Sequence, residues 1–501
     1  MLIRRRRDLI SLGLRLVLVL GSVAYILAFA YIAIRRMPYP FELEWMEGGS
    51  LVQVARLLKG QMLYVQPSLE FVPFIYPPLY FYVSAAFAKV VGIGFLPLRL
   101  VSFVASLASF IIIFLIVRRE TRSIFSSIVA AGLYAATFHV SGAWFDIARV
   151  DALGLLFLLA GIYFVGTKSA YSQILAGVSF ALAFFTKQTF LLASLPVLIY
   201  IVWKMRWRCL SLVGTTGILV VTANLLLNRL SNGWYGFYVW YLPSRHILPL
   251  ATLLNFSLVE FWPQDLLAPM GLACLVALTA FLFRRAEKER GDPYLYLAAA
   301  VGMVGTSWLG TLNVGGYSNV LLPAYAGVSI LAGVGLGRVT STWAREEVTT
   351  GLTPARFAQL ACVIQFVALL YPLRSQIPTQ ADLAAGQELV REIRDTPGDV
   401  FIPFHGYLAM MAGKPSFAHQ IAVAELEGTF GGGPTDAWQM IYADFETRLQ
   451  ARSFGAVILD SEWLWGNVGT YYPNQTAAFG GEAGFYPVTG WRTRPETIFR
   501  P

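Results

Sequence analysis

Residues 40–82 read PFELEWMEGGSLVQVARLLKGQMLYVQPSLEFVPFIYPPLYFY. The stretch follows a long apolar segment and sets Glu42, Glu44 and Glu47 within a few residues of the expected membrane surface. Three carboxylates so close to hydrocarbon are costly to keep, which makes them candidates for chemistry. Glu44 and Glu47 are three apart, so a helix starting at Leu43 or Glu44 would carry both on one face. The plainer reading is a solvated loop with interfacial acids.

The rest of the chain is organised to hold such a loop at a membrane. Of 501 residues, 56% are hydrophobic and 13% charged. Soluble domains carry about 25% charged residues, so the chain reads as an integral membrane protein. The net charge of +9 comes from basic residues scattered at helix ends. That distribution signals topology and not a nucleic-acid surface. None of the cysteines falls in the C-terminal region, so disulfides are not expected to hold it together.

Residues 9–34 follow the basic run Arg4–Arg7 and are expected to form an uncleaved first span with a cytoplasmic amino end. Counting both 80–94 and 97–117 as spans would put Arg118, Arg119 and Arg122 outside, against the positive-inside rule. Residues 76–94 are therefore expected to lie along the outer surface as part of the first loop. Further spans are expected at 124–140, 152–165, 172–185, 190–203, 209–227, 266–283, 293–309, 320–336 and 357–371. The fold class is thus a polytopic α-helical membrane protein of about 11 spans, with juxtamembrane helices in the first outer loop. An aromatic belt occupies the outward loop 228–264 (Trp234, Tyr235, Tyr238, Trp240, Tyr241).

The composition changes at Pro372. Two domains follow: a transmembrane domain over 1–373 and a small extracytoplasmic α/β domain over 374–501. In the latter, 399–403 and 456–460 read as buried strands, 386–394 as an amphipathic helix and 428–434 as a Gly-rich loop.

Further polar clusters fall on the same expected side as the acidic loop. Arg149 and Asp151 stand in WFDIARVD, where the next helix begins; Asp151 could equally be a helix-dipole partner, and the pair a structural ion pair. Lys187 in FFTKQTF either faces a ligand or snorkels. Arg245 and His246 stand in WYLPSRHILP, where a lone histidine is commonly an interfacial or core residue. The turn NVGGYSN carries Tyr317 and Asn319, and its two glycines would let backbone N–H groups approach an anion or would merely make the turn. Acids, a cationic set and a histidine together suit transfer from a phosphate-linked donor. The acceptor hydroxyl needs a carboxylate base, and the leaving phosphate needs positive charge or a metal. His405 and His419 in the C-terminal region are further candidates, with core or surface placement the plainer expectation.

The order of these motifs resembles the GT-C membrane glycosyltransferases, in particular the bacterial protein mannosyltransferase and lipid A aminoarabinose transferase group. The resemblance is carried over about 1–340 by the acidic first loop and by A-x2-L-x-G-x3-Y at Ala55, Leu58, Gly60 and Tyr64. It continues through Tyr76-Pro77-Pro78-Leu79, Arg99, the R-x-D of Arg149 and Asp151, Thr186-Lys187, His246 and Gly316–Asn319. It implies inverting transfer of a sugar from a polyprenyl-phosphate donor to a cell-envelope acceptor (lipid, glycan or protein) at the outer face of the cell membrane. It also implies a first-loop glutamate as general base. Many relatives carry an Asp-Glu pair where Met46-Glu47 stands here, so Glu44 and Glu47 are both catalytic candidates, with Asp151 the acid of the second outer loop. Glu42, Arg149, Lys187, Arg245, His246, Tyr317 and Asn319 would bind substrate. A divalent metal is possible, but the acid that pairs with the histidine in some relatives is replaced here by Ile75-Tyr76. The alternative is a transporter or lipid flippase with the same charges lining a pathway; no internal repeat supports it.

Overall fold

The computed structural model describes residues 9–167, 169–247, 292–343, 353–480 and 484–501. The expected span 266–283 lies outside these residues. Helix α1 (Leu9–Arg36) is followed by two short helices, α2 (Glu47–Leu58) and α3 (Leu79–Val91), and then by α4 (Phe95–Thr121). At 1.5 Å per residue, α2 and α3 reach only about 20 Å, short of the ~30 Å of hydrocarbon that α1 and α4 exceed. The chain continues through α5 (Ile124–Ala136), α6 (Asp151–Val165), α7 (Ala170–Thr186), α8 (Thr189–Met205) and α9 (Leu210–Leu230). Helices Pro293–Thr311, Leu322–Trp343 and Pro354–Ala368 complete the bundle. Helices thus stand at every expected span inside the described residues.

Among the described residues, four helices are long and apolar enough to cross a membrane: Leu9–Arg36, Phe95–Thr121, Leu210–Leu230 and Ser318–Ser341. Six others, α3, α5, α6, α7, Thr189–Lys204 and Pro354–Ala368, are apolar but only 10–17 residues long. Helix α9 shows what solvent the bundle needs, since only 11% of an 18-residue stretch of it is buried. Ile218, Val221, Leu225 and Leu226 all point outward. An apolar face of that extent is stable against lipid and not against water. Local signals set the ends: Ser123 caps α5 by accepting from Ser126 N–H at 3.1 Å, and Ser169 caps α7 through Ser172 N–H.

After the last bundle helix, the amphipathic helix Gln380–Asp395 opens with a capping box between Thr379 and Asp382. A four-stranded sheet follows, with β1 (Asp399–Phe401), β2 (Phe454–Leu459), β3 (Asn474–Ala477) and β4 (Thr497–Arg500) in the order β1-β2-β4-β3. Strands β1 and β2 are parallel, so a crossover must join them. Helices Gly406–Met411, Gln420–Glu427 and Asp436–Gln450 lie in that crossover. Phe401, Phe445, Phe454 and Trp465 interlock beneath the sheet, with Phe445 and Trp465 centroids 4.7 Å apart.

This core does not end at the domain boundary. Phe41, Trp45, Leu51 and Val54 of the first loop, together with Tyr235 and Tyr238, belong to the same buried cluster as Val400, Phe401 and Tyr407. The loop 40–58 is sandwiched between the helical bundle and the C-terminal domain.

Candidate active site

Helix α2 starts at Glu47, not at Leu43 or Glu44, so the glutamates do not share a helical face. Each takes a different partner.

Glu47 is fully buried. Arg99 of α4 grips it from Nη2 at 2.6 Å and from Nε at 3.1 Å. Leu43 N–H and Ala148 N–H donate to it at 2.7 and 2.6 Å. Four donors saturate this carboxylate, and Arg99 also donates to the carbonyls of Arg36, Tyr39 and Phe41. The pair folds the loop around itself.

Glu42 turns toward the C-terminal domain. Its Oε2 lies 2.5 Å from His405 Nδ1, and its Oε1 accepts from Gly48 N–H at 2.9 Å. A Cβ at position 48 would stand 2.3 Å from that oxygen, so only glycine fits. His405 Nε2 lies 2.9 Å from Asp460 Oδ2. Flanked by two carboxylates, His405 is raised to about 10 against its burial and carries a proton at neutral pH. His419 has no such partner among the described residues; burial pushes it down to about 3, and it stays neutral beside the Trp45 carbonyl.

Glu44 alone of the three opens onto a cavity of about 1110 Å³ between the bundle and the C-terminal domain. Its Oε2 accepts from Arg149 Nη1 at 2.9 Å. Burial is the main influence on this carboxyl and raises it to about 7, with Arg149 opposing and the nearby Glu47 charge adding to the rise. A carboxyl poised there exchanges protons at neutral pH.

Arg149, Asp151, Lys187, His246, Tyr317 and Asn319 also line the cavity. Asp151 is the first residue of α6 and accepts from Lys187 Nζ at 2.8 Å, Trp144 Nε1 at 3.0 Å and Asn319 Nδ2 at 3.1 Å. It therefore links three chain segments besides sitting at a helix N-terminus. Arg149 Nη2 also donates to the Tyr76 hydroxyl at 3.2 Å. Arg245 is directed elsewhere: its Nη2 donates to the Gly432 and Gly433 carbonyls, holding the Gly-rich loop against the bundle. In the 313–319 turn, Gly315 N–H goes to Asn313 Oδ1 and Gly316 N–H to the Asn313 carbonyl, so these amides serve the turn and not an anion.

Several lining groups were not singled out from sequence. Glu425, from the C-terminal domain, pairs with His246 Nε2 at 2.6 Å, while Asn313 Nδ2 donates to His246 Nδ1 at 3.1 Å. Among the described residues, no group of three or more His, Cys, Asp or Glu side chains is placed to hold a metal. His246 and Glu425 are two donors, one fewer than the usual protein set of a catalytic zinc site. Ser461, Trp463, Gly490, Trp491 and Arg492 close the cavity from the C-terminal domain. Spacing carries no sign of them, because they lie 417–448 residues from Glu44.

The helical membrane bundle, with its first loop and C-terminal region enclosing an acidic and cationic cavity, shares its fold with a solved ArnT structure. The family model for dolichyl-phosphate-mannose-protein mannosyltransferase matches residues 76–227. The structure overlays on ArnT from Cupriavidus metallidurans bound to undecaprenyl phosphate with a TM-score of 0.58 and 12% identity, covering 96% of this chain and 97% of that one. The apo state of the same ArnT gives a TM-score of 0.58 and 13% identity over 95% and 96% of the two chains. The archaeal oligosaccharyltransferase AglB from Archaeoglobus fulgidus overlays with a TM-score of 0.49 and 11% identity, covering 90% of this chain and 69% of that one. A sequence comparison with curated proteins finds no match.

Proposed function

We propose that the protein transfers a sugar from a polyprenyl-phosphate donor to a hydroxyl of a cell-envelope acceptor, with Glu44 as the general base. The observation that carries this reading is that Glu44, and neither Glu42 nor Glu47, opens onto the cavity that also holds Arg149 and Lys187. The donor class is supported by the shared fold with an ArnT that binds undecaprenyl phosphate.

The reaction divides among these residues. The acceptor oxygen attacks the anomeric carbon while Glu44 takes its proton. The bond from that carbon to the phosphate oxygen breaks, and its electron pair stays on the phosphate. Arg149 and Lys187 neutralise the charge that develops there. Asp151 orients Lys187, and Asn319 and Trp144 orient Asp151. One in-line displacement inverts the anomeric centre. Glu47 and Glu42 act through the loop they fold, not on the substrate.

The same reading places the first loop, the cavity and a C-terminal domain over 374–501 at the extracytoplasmic face of the cell membrane. It also gives the domain over 1–373 about eleven crossings and a cytoplasmic amino end. Basic residues in the last turns of α1 and α4 flank opposite ends of a crossing, Arg35 and Arg36 being the pair that this orientation takes outside. The buried contacts of Arg36 with Asp146 at 3.0 Å and with the Ala143 carbonyl account for that departure from the positive-inside rule.

The test is product analysis. Purified protein in proteoliposomes is given polyprenyl-phosphate sugars, and the lipids are separated by chromatography. Release of polyprenyl phosphate with appearance of a glycosylated acceptor supports the reading. Intact donor with every sugar offered, from protein that remains folded, overturns it.

A further inference from the structure

The cavity has two unlike walls. On the bundle side stand Arg149, paired with Glu44, and Asp151, which holds Lys187 and Asn319. On the side of the C-terminal domain stand Trp463 and Trp491, with the buried Trp45 of the first loop packed against Trp491. The Trp491 ring lies 5.1 Å from Trp45 at 83° and 5.8 Å from Trp463 at 79°. Trp491 is 45% exposed and Trp463 half-buried, so ring surface remains uncovered. Exposed Ser461 and Arg492 border this wall.

Glu44 sits at the seam. On one side it pairs with Arg149. On the other it touches Gly490, where a Cβ would stand 2.7 Å from Glu44 Cγ, and where φ is +79°. The next residues on the two segments, Trp45 and Trp491, are in ring contact. The tryptophan wall therefore begins one residue from the carboxylate. Its position is fixed by a buried chain of contacts: Thr493 donates to Asp460, Asp460 to His405 is 2.9 Å, and His405 to Glu42 is 2.5 Å.

We propose that the Trp45–Trp491–Trp463 wall is the acceptor subsite and that the acceptor it takes is a saccharide, whose ring stacks on indole while one hydroxyl is held over Glu44. This rests on the transferase reading given above. Sugar rings present apolar C–H faces edged by hydroxyls, matching apolar indole bordered by Ser461 and Arg492. A lipid chain would find its partner on the bundle side, not on a domain too polar to enter hydrocarbon. An extended peptide is captured by an exposed strand edge, and the wall has none: residues 461–467 and 484–496 are irregular.

Direct binding tests the assignment. The full chain in lipid nanodiscs is applied to a glycan array of short oligosaccharides and, in parallel, to a peptide array. Wild-type protein is expected to retain saccharides, Trp491→Ala to weaken that retention about tenfold, and Trp491→Phe to restore most of it. Trp491 is exposed, so its removal spares the fold, and thermal melting of each variant checks this. Absence of saccharide binding, saccharide binding indifferent to Trp491→Ala, or retention of peptides that this substitution abolishes would each overturn the proposal. Donor turnover is measured on the same preparation. Tryptophan-dependent saccharide binding without donor turnover defeats the transferase reading and leaves the saccharide site standing. Donor turnover without saccharide binding does the reverse.

Discussion

Arg149 Nη1 approaches Glu44 Oε2 to 2.9 Å where bundle and C-terminal domain meet, while Arg99 seals Glu47, three residues along the chain, at 2.6 Å. The two ion pairs look alike in a contact map and differ in what surrounds them. One faces a cavity and the other is enclosed.

That difference separates two isosteric substitutions. Glu44→Gln is expected to lower transfer by about 10²–10⁴-fold, the usual worth of a general base, at a smaller cost in stability than Glu47→Gln because Arg149 keeps the Tyr76 hydroxyl and borders the cavity. Glu47→Gln strands the buried Arg99 charge and is expected to cost roughly 3–5 kcal/mol of stability. Product chromatography and thermal unfolding of both variants distinguish these outcomes. Equal loss of activity at equal stability would assign both residues to chemistry.

The pH dependence follows from the same carboxyl. Burial raises Glu44 to about 7, so its basic form accumulates only as pH rises through 7. Transfer is expected to fall about tenfold per pH unit well below that value and to level above it. The stability contribution runs the other way: a raised carboxyl stabilises most below its unfolded value near 4.5 and loses this as pH climbs through 7. Rate profiles between pH 5 and 9 check the first expectation, and a rate flat across that range would contradict it.

His405 makes a stability prediction of opposite chemistry. Its value is raised to about 10 between Glu42 and Asp460, so protonation is favoured in the folded state. The stabilisation is complete below the unfolded value of about 6.5 and is lost as pH rises through 10. Wild-type melting temperature is expected to decline across this window. In His405→Gln it is expected to start lower and to decline less, the remaining fall coming from the raised carboxyls of Glu42 and Glu44.

Gly490→Ala tests the contact behind Glu44, the proposed base. The added Cβ meets Glu44 Cγ at 2.7 Å, and a φ of +79° disfavours any side chain. A destabilisation of about 1–3 kcal/mol is expected. Displacing Glu44 is expected to lower transfer by about 10²-fold beyond what unfolding explains. Activity per folded molecule, measured at a temperature where the variant is stable, reads the second effect alone.

Lys187→Ala removes the cation proposed to face the donor phosphate and leaves Asp151 with Trp144 and Asn319. Weaker retention of polyprenyl phosphate, measured by equilibrium binding in nanodiscs, is expected. Unchanged retention would take Lys187 out of the donor site.

The helices were legible because lipid imposes one rule on every span, and runs such as 97–117 or 209–227 obey it without help from the rest of the chain. Strands β1 and β2 were legible as short apolar runs, whereas the Asn474–Ala477 strand is exposed along its length and has no apolar alternation to announce it. Arg149, Asp151 and Lys187 stood out as charges beside apolar segments. The roles of the three glutamates did not, because each depends on a distant partner: Glu42 on His405, Glu44 on Arg149, Glu47 on Arg99. Glu425 and Trp491 looked like ordinary residues of a polar domain until the fold set them beside His246 and Trp45.

The hydrogen bond between Glu42 and His405 spans 363 positions of sequence. At the ~5–20 residues per second of synthesis, the ribosome needs roughly 20–70 s to make the second partner after the first. Through that interval the bundle is already being inserted, while Phe41, Trp45 and Glu42 wait without the core that will cover them. The nascent protein thus passes through a state with its candidate site unassembled, exposed to insertases, chaperones and proteases. A chain cut short before Phe404 would remain there, a membrane bundle complete in its helices and recognisable to quality control by one uncovered loop.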